Sequence, residues 1–143
     1  EFIKLSKKLR KTTVFITHDL DEAVKVGHRI AIMRDGKVIQ VGTPEEIVMK
    51  PEDGYVADFV KGISRLQVVK ANTIMKPIDE YAKSYGDIPK DAIRMNESDV
   101  LSSLIEKSVS NDSPIVITNS DGRDIGVISQ KDLLVSVVEG QDE

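Results

Sequence analysis

At 143 residues, with 40% hydrophobic and 31% charged side chains, the chain can build one ordinary domain or two small ones and is too apolar for a disordered polyelectrolyte. It has no cysteine, which excludes disulfides and thiolate metal sites, and no apolar run long enough to span a bilayer as a helix. The charge is uneven: residues 1–66 hold 12 Lys/Arg against 10 Asp/Glu, a balance of +2, and residues 67–143 hold 8 against 14, a balance of −6.

In chain order, Phe2, Leu5 and Leu9 stand at i, i+3 and i+7, the spacing of one helix face. Thr12–Thr17 (TTVFIT) is apolar and β-branched without polar alternation, which predicts a strand buried on both faces inside a parallel sheet. Residues 19–26 return to helical period, with Leu20, Ala23 and Val24 on one side and Asp19, Asp21 and Glu22 in the first turn, where the helix dipole favours acids. Gly27 stops that helix. Two strands, 29–34 and 37–41, flank Asp35-Gly36, a two-residue hairpin signal. Thr43-Pro44-Glu45-Glu46 opens a helix with a capping box and proline at its first position, and Pro51 ends it. Residues 55–61 form one more short helix.

The second half opens with a strand-like stretch over 66–69, followed by an irregular polar insertion over 76–91 that contains Tyr81 and Tyr85. A short strand is predicted over 92–95. Asn96 or Ser98 caps a helix with the face Leu101, Leu104, Ile105 and Val109. Strands over 114–118 and 125–128 enclose a turn rich in Asn, Ser, Asp and Gly. Ser129 then caps a last helix carrying Leu133, Leu134, Val137 and Val138. The order is β-α-β-β-α.

One residue of the first half carries chemistry. His18 stands where an apolar strand ends, the edge at which open α/β sheets bind ligands, and an imidazole there can donate to a phosphate oxygen or position a water. By itself such a histidine is more often structural. The surrounding string is more informative. FITHDLDEA followed by RIAIMRDGKVIQVGTPEEI closely resembles the C-terminal third of the ATP-hydrolysing subunits of ABC transporters. That resemblance makes His18 the switch histidine that contacts the γ-phosphate, with Thr17 and Asp19 as flanking positions without a catalytic role; His28 has no such place.

The chain contains no G-x-x-x-x-G-K-[ST] loop, no strand ending in an Asp-Glu pair and no Ser-Gly-Gly-Gln-type signature. In the family these lie upstream of the matching residues, and ATP and Mg²⁺ are bound by the complete ATPase. Because phosphoryl transfer depends on those parts, these 143 residues are not expected to hydrolyse ATP alone. The chain opens Glu-Phe-Ile inside a helical pattern, so a fragment of a longer protein is expected.

The β-α-β-β-α order, with Pro-Ile-Val-Ile-Thr, Asp121-Gly122 and Gly126-Val-Ile-Ser-Gln-Lys-Asp-Leu, looks like a single CBS motif. Such motifs pair into modules that bind adenine nucleotides or related ligands. The positions matching the ligand pattern are Ser129, whose hydroxyl and N–H can face a phosphate, and Asp132, whose carboxylate can accept from ribose hydroxyls. The plainer reading makes Ser129 an N-cap and Asp132 a helix-start acid. No metal site is expected.

The fold class is thus α/β, with the C-terminal part of a P-loop ABC ATPase domain and linker over 1–66 and a small α+β CBS-type unit over 67–143. An ABC ATPase tail running into a CBS motif resembles the ATP-binding subunits of osmoregulatory importers for quaternary amines such as glycine betaine, proline betaine, choline or carnitine. That resemblance implies a cytoplasmic subunit, peripheral at the inner face of the membrane. Its partners are a second copy of itself in a homodimer, a membrane permease and a substrate-binding protein. The alternative is a freestanding CBS-type regulatory or scaffold protein that binds adenine nucleotide and carries an ATPase remnant. A nucleic-acid partner is not expected: the only basic run, Lys7, Lys8, Arg10 and Lys11, lies at a predicted helix end, and the chain has just 3 Tyr and 3 Phe. The −6 balance of the second half also argues against a cationic surface that reads an anionic membrane.

Overall fold

The computed structural model describes residues 11–138. The helix expected over 1–11 falls almost wholly outside these. The chain divides into two compact units, the first ending at Ile63 and the second beginning at Ser64.

The first unit is built on a hairpin. Strands β1 (Ile30–Arg34) and β2 (Lys37–Gly42) pair antiparallel, with Arg34 opposite Lys37 and a bulge between Ile32 and Met33. The turn works because Asp35 and Gly36 both take positive φ, 50° and 74°, the conformation that matches the twist of the flanking strands. Alternation sends Ile30 and Ile32 inward. Helix α1 (Leu20–Val26) is capped by Asp19, whose carboxylate accepts from the Glu22 N–H at 3.2 Å. It ends at Gly27 in extended backbone rather than in a left-handed turn. Helix α2 (Pro44–Met49) has the expected capping box: Thr43 Oγ1 accepts from the Glu46 N–H, and Glu46 Oε2 accepts from the Thr43 N–H at 2.8 Å. Asp53 caps helix α3 (Gly54–Val60). The core is Ile30, Ile32, Ile47, Val56 and Val60, with Leu20, Ala23, Val24, Ile39, Val48 and Tyr55 packed against it.

The strand expected over Thr12–Thr17 is not formed. The segment has no ladder partner among the described residues, and Val14 and Ile16 are 86% and 91% exposed. The physical reason is that a strand of a parallel sheet draws its hydrogen bonds and both covering layers from other segments. The sheets of the described residues place no strand beside it.

The second unit is centred on a three-stranded sheet in the order β3-β4-β5: β3 (Ile93–Asn96), β4 (Ile115–Thr118) and β5 (Asp124–Ile128). β3 and β4 run parallel, joined through helix α6 (Leu101–Ser108), while β4 and β5 run antiparallel. Helix α7 (Gln130–Val138) follows β5 directly. Asn119 holds the β4–β5 turn by accepting from the N–H groups of Asp121 and Arg123. Ile115, Val116, Ile117, Val127 and Ile128 of the sheet, Leu101 and Leu104 of α6 and Leu133 of α7 are buried.

Four local expectations are corrected here. The strand-like stretch over 66–69 is a 3₁₀ turn, Arg65–Gln67, followed by buried Val68 and Val69, and the sheet-like pairing is limited to a bridge between Lys70 and Val100. The polar insertion is ordered: helix α4 (Ala71–Ile74) precedes it and helix α5 (Ile78–Tyr85) occupies it. Ile78, Tyr81, Ala82 and Tyr85 do stand at i, i+3, i+4 and i+7, a helical signal hidden among the charged residues and the flanking Pro77, Gly86 and Pro89. Asn96 and Ser98 do not cap α6, because Asn96 Oδ1 takes the Ser98 N–H and hydroxyl. The free N–H of Leu101 instead donates to the Val69 carbonyl at 2.8 Å. Finally, α6 ends at Ser108, so Val109 lies past the helical face and is exposed. In α7, Leu133 points inward while Leu134 and Val138 are exposed.

Candidate functional site

His18 lies one residue before the Asp19 cap of α1, exposed, in a bend. The residues around it are tied locally. Thr17 Oγ1 donates to Glu22 Oε2 at 2.8 Å and accepts from the Asp19 N–H at 3.0 Å. These bonds fix the backbone on both sides of His18 and leave its imidazole without a hydrogen-bond partner among the described residues. A ring presented this way can donate to an anion. Neither unit shows a cluster of His, Asp or Glu that could hold a metal among the described residues.

In the second unit the two sequence-selected residues do come together. Ser129 begins α7, and its Oγ accepts from the Asp132 N–H at 3.1 Å. In return Asp132 Oδ2 accepts from the Ser129 N–H at 3.2 Å and from the Ser129 hydroxyl at 2.6 Å. This is a reciprocal cap of the capping-box kind, with aspartate in place of glutamate. The Ser129 carbonyl also accepts from the Leu133 N–H.

A third residue joins them. Lys76 Nζ stands 2.9 Å from Asp132 Oδ1, with the lysine side chain 34% and the aspartate side chain 15% exposed. Burial alone pushes the Asp132 carboxyl up, but the hydrogen bonds from Ser129 and Lys76 outweigh it and hold the group below its ordinary value. The hydrogen bond to Asp132, more than its charge, raises the Lys76 ammonium above its own. The ammonium lies 6.0 Å from the centre of the Tyr85 ring, which stacks on Tyr81 at 5.0 Å. Tyr81 is buried, so the pair is part of the packing of α5.

The backbone explains why Lys76 is there. Its N–H and C=O both pair with Val127, each at 2.9 Å, so residue 76 lies as an extra edge on β5. Gly126 permits that approach: a Cβ there would stand 2.6 Å from Met75 Sδ and 3.0 Å from the Lys76 carbonyl oxygen. Sequence reasoning missed Lys76. The only signal was the glycine inside strand DIGVI, which announces a close neighbour without naming it.

The comparisons with known proteins agree with the sequence pattern. No family model matches the chain. The glycine betaine/proline betaine transport system ATP-binding protein ProV of Salmonella typhimurium is 44% identical over 97 residues, 66% of this chain and 24% of that protein. The trimethylamine N-oxide transport system ATP-binding protein TmoW of Pelagibacter ubique is 31% identical over 138 residues, 96% of this chain and 38% of that protein. The glycine betaine transport ATP-binding protein OpuAA of Bacillus subtilis is 49% identical over 76 residues, 53% of this chain and 18% of that protein. Among solved structures, a CBS domain-containing protein of unknown function from Bacillus anthracis covers 84% of this chain and 75% of its own length, at 16% identity and a TM-score of 0.32, too low to define a shared fold. The chain spans about two fifths or less of the curated relatives it matches. The match to the Pelagibacter protein is longer than either unit, so both units have counterparts in one relative. The likeness is therefore to the ATP-binding subunits of ABC transporters for betaines and related amines, and it runs through both units of the chain.

Proposed function

We propose that this chain serves the ATP-driven import of a quaternary-amine osmolyte, as part of a peripheral ATPase subunit beneath a membrane permease. His18 is the switch residue toward the γ-phosphate, and the second unit is a regulatory CBS-type motif. The observation that carries this reading is the sequence relationship that extends through both units. The exposure of His18 and of the apolar segment before it also supports it: a strand-end histidine on an uncovered strand suits a larger sheet completed by phosphate-binding and Mg²⁺-binding segments. The same relationship disfavours a freestanding scaffold with an ATPase remnant, because a transport protein carries both parts together.

Within this reading the lone β-α-β-β-α unit pairs with that of a second copy. Leu134, Val135 and Val138 of α7 and Val109 beyond α6 are exposed apolar residues on elements that pack together, which suits a helix-to-helix contact. A ligand that prefers the paired form then biases the ATPase cycle by its differential affinity alone. Two measurements test the proposal. In the full-length subunit assembled with its permease, His18→Ala lowers ATP turnover by about a hundredfold or more; turnover within a factor of two of the parent rejects the switch role. In sedimentation, the 143-residue chain associates at tens of micromolar and Leu134→Glu abolishes it. A chain that stays monomeric there with and without adenine nucleotide rejects the pairing.

A further inference from the structure

Every group of the Ser129–Asp132 turn that a ligand would need is already engaged inside the chain. Asp132 Oδ2 holds the Ser129 N–H and hydroxyl, Ser129 Oγ holds the Asp132 N–H, and Asp132 Oδ1 holds the Lys76 ammonium. Lys76 is delivered there by a backbone fixed on both its N–H and its C=O, across a glycine that leaves no room for a side chain. We propose that Lys76 is a latch that closes the turn, and that it selects for ligands carrying both an anionic group and vicinal hydroxyls. The selectivity half rests on the CBS-type ligand reading above; the latch itself does not.

The selectivity follows from charge pairing. Opening the latch separates an ammonium from a largely buried carboxylate, and both must find new partners. A neutral nucleoside offers hydroxyl donors to Asp132 but brings no anion for Lys76, which is left with the Tyr85 face and the weaker pull of Glu80 in place of its direct ion pair. Inorganic phosphate takes Lys76 but is repelled by Asp132. A phosphorylated ribose does both: its phosphate takes the ammonium and its hydroxyls donate to the carboxylate. The latch therefore excludes small anions and free nucleosides alike, using one lysine.

Lys76→Met in the full chain keeps the aliphatic stem and removes the charge. Amide hydrogen exchange across residues 76–86 and at Val127 is expected to quicken by about tenfold, while Val116 and Ile117 in β4, which report whether the unit is folded, keep their protection. Unchanged exchange over 76–86 overturns the latch. Calorimetric titration of both proteins with AMP, adenosine and inorganic phosphate tests the selectivity. The parent chain is expected to bind AMP at least about tenfold more tightly than either fragment, and Lys76→Met to lose most of that difference. Adenosine binding the parent as tightly as AMP overturns the selectivity. If neither protein binds any of the three, the ligand reading falls, and the exchange result alone decides the latch.

Discussion

Two stretches of this chain are written in nearly the same alphabet and meet opposite fates. TTVFIT at 12–17 and PIVIT at 114–118 are both short, apolar and β-branched, and by pattern alone both are buried strands. In the second unit Val116 is 0% exposed, with β3 on one side of it and β5 on the other. In the first unit Ile16 is 91% exposed and unpaired among the described residues. An apolar run states a demand for neighbours. Whether the demand is met depends on segments elsewhere: β4 has paired strands within 25 residues on either side, while Val14 and Ile16 stand exposed outside any sheet of the described residues.

The sharpest way to break this comparison is to put a charge into each stretch. Val116→Asp buries a carboxylate with no cation beside it and is expected to cost about 4 kcal/mol or more, enough to unfold a unit of this size. Ile16→Asp is expected to stay within about 0.5 kcal/mol, as for an exposed site. Urea denaturation followed by circular dichroism reads both. Amide exchange sharpens it further: residues 115–118 exchange only through unfolding of the unit, whereas Val14 and Ile16 exchange without protection on a chain shown to be monomeric. Uniform protection of 12–17 would show that a neighbour is present after all.

Much of the remaining architecture was legible because its signals are local. The Asp35-Gly36 turn, the Thr43–Glu46 capping box and the order of elements from β3 to α7 depend on residues within a few positions of one another. The same holds for the Ser129–Asp132 pair, three residues apart on one helical turn. What escaped the sequence was long-range. α5 is the exception, since the spacing of Ile78, Tyr81, Ala82 and Tyr85 is local and was masked only by the polar and Pro/Gly residues around it. α6 starts at Leu101 because its N–H finds the carbonyl of Val69, not because a side chain caps it. Lys76 reaches Asp132 across more than fifty residues, through a backbone bridge that no periodicity announces.

That bridge offers a test of intermediate size. Gly126→Ala places a methyl group against Met75 and the Lys76 carbonyl. Met75 must swing away or the edge segment must lift, so the expected loss is about 1–3 kcal/mol in the second unit. The first unit has no share in this contact, so its hairpin melts unchanged. Recovery of stability in Gly126→Ala combined with Met75→Ala would locate the strain at the sulfur rather than at the backbone.

The smallest effect concerns charge, and its sign is set by the directions of two shifts. Asp132 titrates below its ordinary 3.8 in the folded chain, so the stability it contributes is present above that value and drains away as pH falls through the lower folded value. Lys76 titrates above its ordinary 10.5, so its contribution is whole below 10.5 and is lost as pH rises through the higher folded value. The pair therefore holds between these limits and fails outside them at both ends. Asp132→Asn removes the acid-side dependence of this contact, and Lys76→Met removes the alkaline side while leaving much of the acid side, since Ser129 still donates to the carboxylate. Melting temperature against pH for the two variants should thus differ in which limb flattens. An acid limb that is as steep in Asp132→Asn as in the parent would show that this contact does not set the acid sensitivity of the second unit.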